Sequence, residues 1–180
     1  MLQSISVHDY QMNSDSSSAE TKLEDYVEPE NALPEATLRE LPESLQAAAA
    51  LAGWTSLMPV QAKAIPYLLA GRDLMVQSRT GSGKTGAFVL PILERVEPGA
   101  GCQAIVLVPT RELAKQVAAE AETLGGAKGV HATAIYGGVD YGPQIKAFEE
   151  GVALVIGTPG RILDHLMKGT LSLKTLRLLV

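Results

Sequence analysis

The sequence predicts an α/β fold in which a parallel sheet carries helices on both faces. Apolar runs of strand length alternate with segments of helical spacing. These runs lack the alternation of polar and apolar residues that marks a half-exposed strand, which indicates strands buried on both sides. The chain has 180 residues, 46% of them hydrophobic, and can therefore bury one sizeable core.

Composition narrows the class of protein further. The single cysteine, Cys102, excludes an internal disulfide and is a poor candidate for a metal ligand. No apolar run approaches the roughly 20 residues of a membrane-spanning helix, and the N-terminus lacks the layout of a signal peptide. A cytoplasmic protein without a membrane partner is expected.

Residues 1–36 are set apart by their charge. They hold eight acidic side chains against Lys22 alone, a balance of −7, whereas residues 37–180 balance at +2. Low hydrophobicity with an excess of like charge predicts a disordered acidic tail, which would either solubilise the chain or bind a basic partner. The near-neutral remainder lacks the broad basic surface of a strong nucleic-acid binder, so nucleic-acid contacts should be local.

Two short helices are predicted ahead of the first strand. The first runs from Pro42 to Gly53, because proline suits a first helical turn and glycine a C-terminal stop. The second runs from Pro59 to Gly71. Pro66 lies inside it and is expected to kink or shorten it.

Strands and helices then alternate to the end of the chain. The first strand covers residues 74–76, and the later strands cover 104–108, 130–136, 152–156 and 176–180. The intervening helices are predicted over 111–124, 141–150 and 161–167. Because the last apolar run reaches the final residue, the chain is expected to be the N-terminal part of a longer protein.

The strongest local signal lies between the first strand and the next helix. It is the segment Ser78, Arg79, Thr80, Gly81, Ser82, Gly83, Lys84 and Thr85. Its glycines let backbone N–H groups approach a phosphate chain at a helix N-terminus. Lys84 supplies a cation for the β- and γ-phosphates, and the Thr85 hydroxyl suits Mg²⁺. The segment predicts nucleotide binding, although Ser78 stands where the strict pattern has glycine.

Three other strand ends carry short motifs, and ligand sites of parallel α/β sheets gather at such ends. They are Pro109-Thr110-Arg111-Glu112-Leu113-Ala114-Lys115-Gln116, Gly137-Gly138 and Thr158-Pro159-Gly160-Arg161. Thr110 and Thr158 are also suitable N-caps for the helices that follow, and the residues alone leave both roles open. Glu112 and Arg161 could form a structural ion pair.

In this order and spacing, the motifs resemble those of the first RecA-like domain of DEAD-box ATP-dependent RNA helicases. The resemblance covers residues 37–180 and begins with Gly-Trp-x4-Pro-Val-Gln, which contains Trp54 and Gln61. It implies a RecA-like ATP-binding domain. That domain would be partial, because the Asp-Glu-Ala-Asp box expected directly after Val180 is missing.

The resemblance also assigns a nucleotide site, with ATP and Mg²⁺ as cofactors. Gln61 would recognise adenine, since a carboxamide offers a donor and an acceptor together, and Trp54 would belong to the same site. Without this context Gln61 would pass as a helix-surface residue. Lys84 and Thr85 would be catalytic, with Thr85 as the metal ligand. Leu38 stands where the family usually has an aromatic residue, which predicts weaker stacking on adenine.

A second implied site holds the RNA backbone without reading its sequence. Hydroxyls, helix N–H groups and a guanidinium suit phosphate oxygens. The residues concerned are Pro109, Thr110, Arg111, Gly138, Thr158, Pro159, Gly160 and Arg161.

The full-length protein would couple ATP hydrolysis to local RNA unwinding with a second RecA-like domain. Residues 1–180 alone are expected to be inactive, because the acidic box and the arginine fingers of that domain are absent. The alternative is a non-catalytic nucleotide- and RNA-binding module whose acidic tail binds partners.

Overall fold

The computed structural model of the chain describes the backbone of residues 3–6 and all of residues 31–180. The described residues form six strands: β1 (Gln3–Ser6), β2 (Leu74–Gln77), β3 (Ala104–Leu107), β4 (Ala132–Ile135), β5 (Leu154–Gly157) and β6 (Leu178–Leu179). They also form six helices: α1 (Glu43–Leu51), α2 (Pro59–Leu69), α3 (Lys84–Arg95), α4 (Arg111–Gly125), α5 (Gly142–Glu149) and α6 (Pro159–Met167). Short 3-10 turns cover Leu38–Glu40 and Gly126–Lys128.

All strand pairs among the described residues are parallel, as predicted. Four strands form one sheet in the order β4-β5-β3-β6, and β1 pairs separately with β2. The single continuous sheet implied by the sequence is therefore divided. Between β2 and β6 lies a groove of about 550 Å³, lined by Val76, Leu178 and, from α3, Phe88.

The four-stranded sheet is buried on both faces. Val106 of β3 and Ile156 of β5 belong to the main core, which includes side chains from α1 to α4. The neighbouring Ile105 and Val155 belong to a second cluster, which includes Ile162 of α6. Because successive strand residues point to opposite faces, both must be apolar, which explains the continuous apolar runs. Helices on both faces are thus confirmed.

Pro66 lies inside α2, which continues past it to Leu69, although the proline was expected to kink or shorten the helix. Proline removes the bond that the residue four positions earlier would accept, here the carbonyl of Ala62. The Ala36 N–H donates to this carbonyl over 3.0 Å. The Leu33 N–H likewise donates to the Tyr67 hydroxyl over 2.9 Å. The segment before the first 3-10 turn therefore packs along α2 and replaces the missing helical bond.

The structure departs from the predicted tail in two places. Gln3–Ser6 form β1, and residues 31–36 contact α2, so ordered structure begins before Leu38. The N–H and C=O groups that pair in a sheet are the same in nearly every residue, so the charge pattern did not reveal this pairing. The disorder predicted for residues 7–30 lies outside the described residues.

Most predicted elements are found with small differences in length. The strands predicted over 130–136 and 176–180 shorten to Ala132–Ile135 and Leu178–Leu179. Of the described helices, none combines the length and the apolar character needed to cross a membrane.

Candidate functional site

The glycine loop connects β2 to α3, as predicted. Gly83 is the N-cap of α3 with φ +89°, and Gly81 has φ +78°. Side chains are disfavoured in this left-handed region, so both positions require glycine. Beyond them lie the N–H groups of the first turn of α3, which lack intrahelical partners. The loop therefore has the backbone course that an anion site needs.

Lys84 is folded back onto the loop. Its Nζ donates to the carbonyl oxygens of Ser78 and Arg79, each over 2.6 Å. The Ser78 hydroxyl also donates to the Ser82 hydroxyl over 2.8 Å, and Ser82 is buried. Serine at the position of the strict glycine thus links the two ends of the loop. A bound phosphate would have to draw Lys84 away from its two carbonyl partners.

Gln61 connects α2 to the loop. Its Oε1 accepts from the Met58 N–H over 2.8 Å, and its Nε2 donates to the Gly83 carbonyl over 3.1 Å. The side chain is only 2% exposed. A Cβ at Gly86 would lie 2.2 Å from Cη2 of Trp54 and 2.7 Å from Gln61 Nε2. The structure thus brings the predicted Trp54 and Gln61 together against α3, and it adds Gly86, which sequence reasoning missed.

The remaining predicted nucleotide residues lie at the loop tip or beside it. Arg79, Thr80 and Gly81 are exposed. Leu38 is half-buried and packs against the main core. Much of its apolar side chain is therefore used for packing, and contact with adenine stays a prediction.

Thr85, in the first turn of α3, has its side chain beside Glu120 of α4. Burial raises the pKa of Glu120, and the Thr85 side chain opposes this effect. Sequence reasoning missed Glu120, because it lies outside every motif. Within the described ranges no group of three or more acidic, histidine or cysteine side chains could hold a metal. Thr85 with Glu120 nearby could hold Mg²⁺ only together with phosphate oxygens or water.

The two candidate threonine caps differ. The Thr110 hydroxyl accepts from the Leu113 N–H over 3.2 Å and so caps α4. Thr158 precedes α6 without a side-chain cap bond. Its hydroxyl is therefore not needed for capping.

The alternative role suggested for Glu112 and Arg161, an ion pair with each other, is not found; Glu112 pairs with Arg111. Arg111 Nε lies 2.8 Å from Glu112 Oε1, and this bond holds the pKa of Glu112 below its usual value. Arg161 instead donates from Nη2 to the Val139 carbonyl over 3.0 Å. Glu112 pairs with its sequence neighbour Arg111, and Arg161 contacts the loop that contains the glycine pair.

The predicted RNA-contacting motifs lie at adjacent strand ends. The Val108 N–H donates to the Gly157 carbonyl, and the Thr158 N–H donates to that of Ile135, each over 2.9 Å. A Cβ at Gly138 would lie 3.7 Å from Arg111 Nη1. One edge of the sheet therefore carries the whole predicted set, which is Pro109, Thr110, Arg111, Gly138, Thr158, Pro159, Gly160 and Arg161. We call this edge the strand-end surface.

The chain is similar to known proteins in sequence and in fold. A family model described as "DEAD/DEAH box helicase" matches residues 58–180. The ATP-dependent RNA helicase DeaD of Klebsiella pneumoniae is 49% identical over 130 residues, which cover 71% of this chain and 20% of that protein. RNA helicase CrhR of Synechocystis sp. is 42% identical over 128 residues, which cover 71% of this chain and 26% of that protein.

Solved structures agree with the sequence matches. The crystal structure of a DEAD box protein from the hyperthermophile Methanococcus jannaschii has a TM-score of 0.75 and 43% identity, covering 81% of this chain and 41% of that one. A hypothetical ATP-dependent RNA helicase from Sulfolobus tokodaii has a TM-score of 0.69 and 35% identity, covering 77% of this chain and 40% of that one.

The chain spans only 20% to 26% of the length of these curated relatives. The match to the family model nevertheless covers well over half of its own residues, and it includes the phosphate loop and the strand-end motifs. The chain therefore belongs to the DEAD/DEAH box helicase family.

Proposed function

We propose that this chain is the ATP-binding and RNA-backbone-binding part of an ATP-dependent RNA helicase. In the full-length protein, ATP hydrolysis would be coupled to local unwinding of an RNA duplex. The observation that carries the proposal is the bond from Gln61 to the Gly83 carbonyl. It joins a carboxamide suited to adenine directly to a loop suited to phosphate.

The loop and the start of α3 would hold the phosphates of ATP. Unpaired N–H groups at the helix N-terminus attract anions, and Lys84 would exchange its two carbonyl partners for phosphate oxygens. Gln61 still has one N–H and one lone pair beyond the bonds it makes within the protein. These could pair with adenine. Mg²⁺, when bound, would neutralise phosphate charge, with the Thr85 hydroxyl as its ligand from this chain.

The strand-end surface would hold a single RNA strand by its phosphates. Pro109, Thr110, Pro159 and Gly160 are exposed there, and the first turns of α4 and α6 present their N–H groups. Such contacts position a strand but do not read bases. Binding should therefore be independent of sequence and sensitive to salt.

We further propose that residues 1–180 bind ATP without turning it over. The described residues hold no group of three metal-binding side chains beside Thr85. A second RecA-like domain would supply the arginines that stabilise the charge on the transferred phosphate. The full-length protein would act in the cytoplasm. The same observation favours the second candidate function, a non-catalytic nucleotide- and RNA-binding module.

Two measurements on the 180-residue chain test these proposals. A fluorescent adenosine nucleotide should bind in the presence of Mg²⁺, and Lys84→Ala should weaken this binding at unchanged thermal stability. Phosphate release with saturating single-stranded RNA should stay at background. Failure of the folded chain to bind nucleotide would contradict the proposed function, and RNA-stimulated turnover would contradict the proposed inactivity. RNA-stimulated turnover by the full-length protein would separate the helicase from the binding module.

A further inference from the structure

Tyr141 lies between the glycine pair and α5, outside every motif discussed so far. It is half-buried, and the Arg161 guanidinium carbon is 4.1 Å from the centre of its ring. Lys168 Nζ is 3.6 Å from the same centre. The Tyr141 hydroxyl forms a hydrogen bond to the Asp164 carboxylate. One aromatic side chain thus gathers two cations and a carboxylate, all three from α6 or its C-terminal end.

Contact with the ring fixes where Arg161 can reach. From this position its Nη2 donates to the Val139 carbonyl, the residue directly after the glycine pair. Its Nη1 is buried and has no partner among the described residues. An arginine has five N–H donors in a rigid fork, so contact with the ring and the bond to Val139 together determine the direction of the other donors. The Tyr141 ring therefore sets the geometry between the glycine pair and α6.

Buried polar contacts also connect the segment of the glycine pair to α6. Gln144 of α5 donates from Nε2 to the Tyr136 carbonyl over 3.2 Å. Its Oε1 lies 3.1 Å from Nε2 of His165 on α6, which is fully buried. Rings of Tyr141 and His165 also meet edge to face, with centres 5.3 Å apart. The Tyr141 ring therefore packs against buried, hydrogen-bonded side chains, which fix its position.

We propose that Tyr141 is a positioning residue for RNA-backbone binding, which orients Arg161 and the glycine pair as one phosphate-binding unit. This inference rests on the proposed function of the strand-end surface. Cation–π contact and the Val139 bond together hold a guanidinium that would otherwise be mobile on its long side chain. Tyr141 itself need not touch RNA. Its contribution depends entirely on the presence of Arg161.

A double-mutant cycle tests this dependence. Affinity for a fluorescent single-stranded RNA is measured by anisotropy for the unsubstituted chain, Tyr141→Leu, Arg161→Met and the double variant. We expect Tyr141→Leu to weaken RNA binding on the order of tenfold, as loss of one charge-assisted hydrogen bond would. The slope of log affinity against log salt should fall by about one unit, as expected when one phosphate contact is lost. In the Arg161→Met background, Tyr141→Leu should have no further effect.

Three controls separate positioning from general destabilisation. Tyr141→Phe keeps the ring and should restore RNA affinity to within about twofold, since the cation–π contact needs only the ring. Nucleotide affinity should be unchanged in all variants. Tyr67→Leu is the matched control, because Tyr67 also has an arginine, Arg72, over its ring at 5.6 Å but lies on α2. It should leave RNA affinity unchanged.

The outcomes distinguish a positioning role of Tyr141 from a purely structural one. Unaltered RNA affinity in Tyr141→Leu would overturn the inference, and so would an equal loss with and without Arg161. Parallel losses in RNA and nucleotide affinity would indicate a structural role only and would overturn it as well. Absence of RNA binding by the unsubstituted folded chain would instead overturn the proposed function on which it rests.

Discussion

Gln61 Nε2 lies 3.1 Å from the carbonyl oxygen of Gly83, so the helix that would meet adenine is bonded to the loop that would meet phosphate. The same carboxamide accepts from the Met58 N–H over 2.8 Å. Movement of either segment must therefore disturb the other. Binding of the base and binding of phosphate by the loop are expected to be coupled through this one side chain.

Replacing Gln61 by alanine should weaken binding of adenosine nucleotides by roughly tenfold, which corresponds to about 1.4 kcal/mol. The reason is that the Gly83 carbonyl and the Met58 N–H would both lose their partner. Titration with adenosine and guanosine triphosphates measures the effect, and the preference for adenosine should also shrink. Gln46→Ala is the matched control, because Gln46 of α1 donates to the carbonyls of Arg39 and Leu41, away from the loop. Equal losses in the two variants would refute a specific role for Gln61.

Gly86→Ala should disturb the nucleotide site by steric conflict. Its Cβ would lie 2.2 Å from Trp54 and 2.7 Å from Gln61 Nε2, so both side chains must move. Overpacking of this kind costs roughly 1–3 kcal/mol. Urea unfolding should show this loss, and nucleotide affinity should fall with it. Gly126→Ala, which has helical φ and a nearest neighbour at 3.8 Å, should be neutral or stabilising.

The order of strands and helices could be predicted because the helices show helical spacing of their apolar residues. The strands could be recognised as continuous apolar runs, since burial on both faces removes polar residues from them. The persistence of α2 through Pro66 could not be predicted. The replacement hydrogen bond comes from Ala36, which lies 30 residues before Pro66, and local helix propensity does not report such a distant contact. The pairing of β1 with β2 was hidden for a similar reason, since backbone groups carry no composition signal.

The candidate site was predictable where the backbone conformation requires one residue type, as the positive φ values do for glycine at Gly81 and Gly83. Roles that depend on side-chain direction were not. Thr110 and Thr158 look equivalent in sequence, but only Thr110 places its hydroxyl on a backbone N–H. Glu120 was missed, because its position beside Thr85 depends on the packing of two helices, which the sequence does not specify.

The two threonines should separate stability from RNA binding. Thr110→Ala removes the cap of α4 and should lower the free energy of unfolding by about 1 kcal/mol. Thr158→Ala removes no cap bond and should leave stability nearly unchanged. Both should weaken RNA binding if both hydroxyls contact phosphate. Thermal unfolding and RNA anisotropy on the same preparations measure the two effects. Equal stability losses would contradict the assigned capping roles.

Cys102 should be unreactive in the folded protein. The thiol is buried, and this burial raises its pKa to about 11. At pH 8 roughly one thiol in a thousand would be ionised, and only the thiolate attacks disulfide reagents at a useful rate. A chromogenic disulfide reagent should therefore give no signal until guanidinium unfolds the chain, and then one thiol per chain. Rapid labelling without denaturant would show that the surrounding core opens readily.

Stability should fall on mild acidification because of His165. The ring is fully buried, and both of its nitrogens have hydrogen-bond partners, Gln144 and Thr170. Burial lowers the pKa of His165 below 6.5, and the positive charges of Arg161 and Lys168 lower it further, whereas Asp164 acts in the opposite direction. The unfolded chain therefore binds a proton more readily than the folded one below pH 6.5.

It follows that the contribution of His165 is complete above pH 6.5 and is lost as the pH falls toward the lower native pKa. Urea unfolding at pH 7.5 and pH 5.5 measures the difference. His165→Gln should be less stable at pH 7.5, by roughly 1–3 kcal/mol, because buried partners lose their bonds. It should nevertheless lose less stability between the two pH values than the unsubstituted chain. The same drop in stability in His165→Gln as in the unsubstituted chain would mean that another group is responsible.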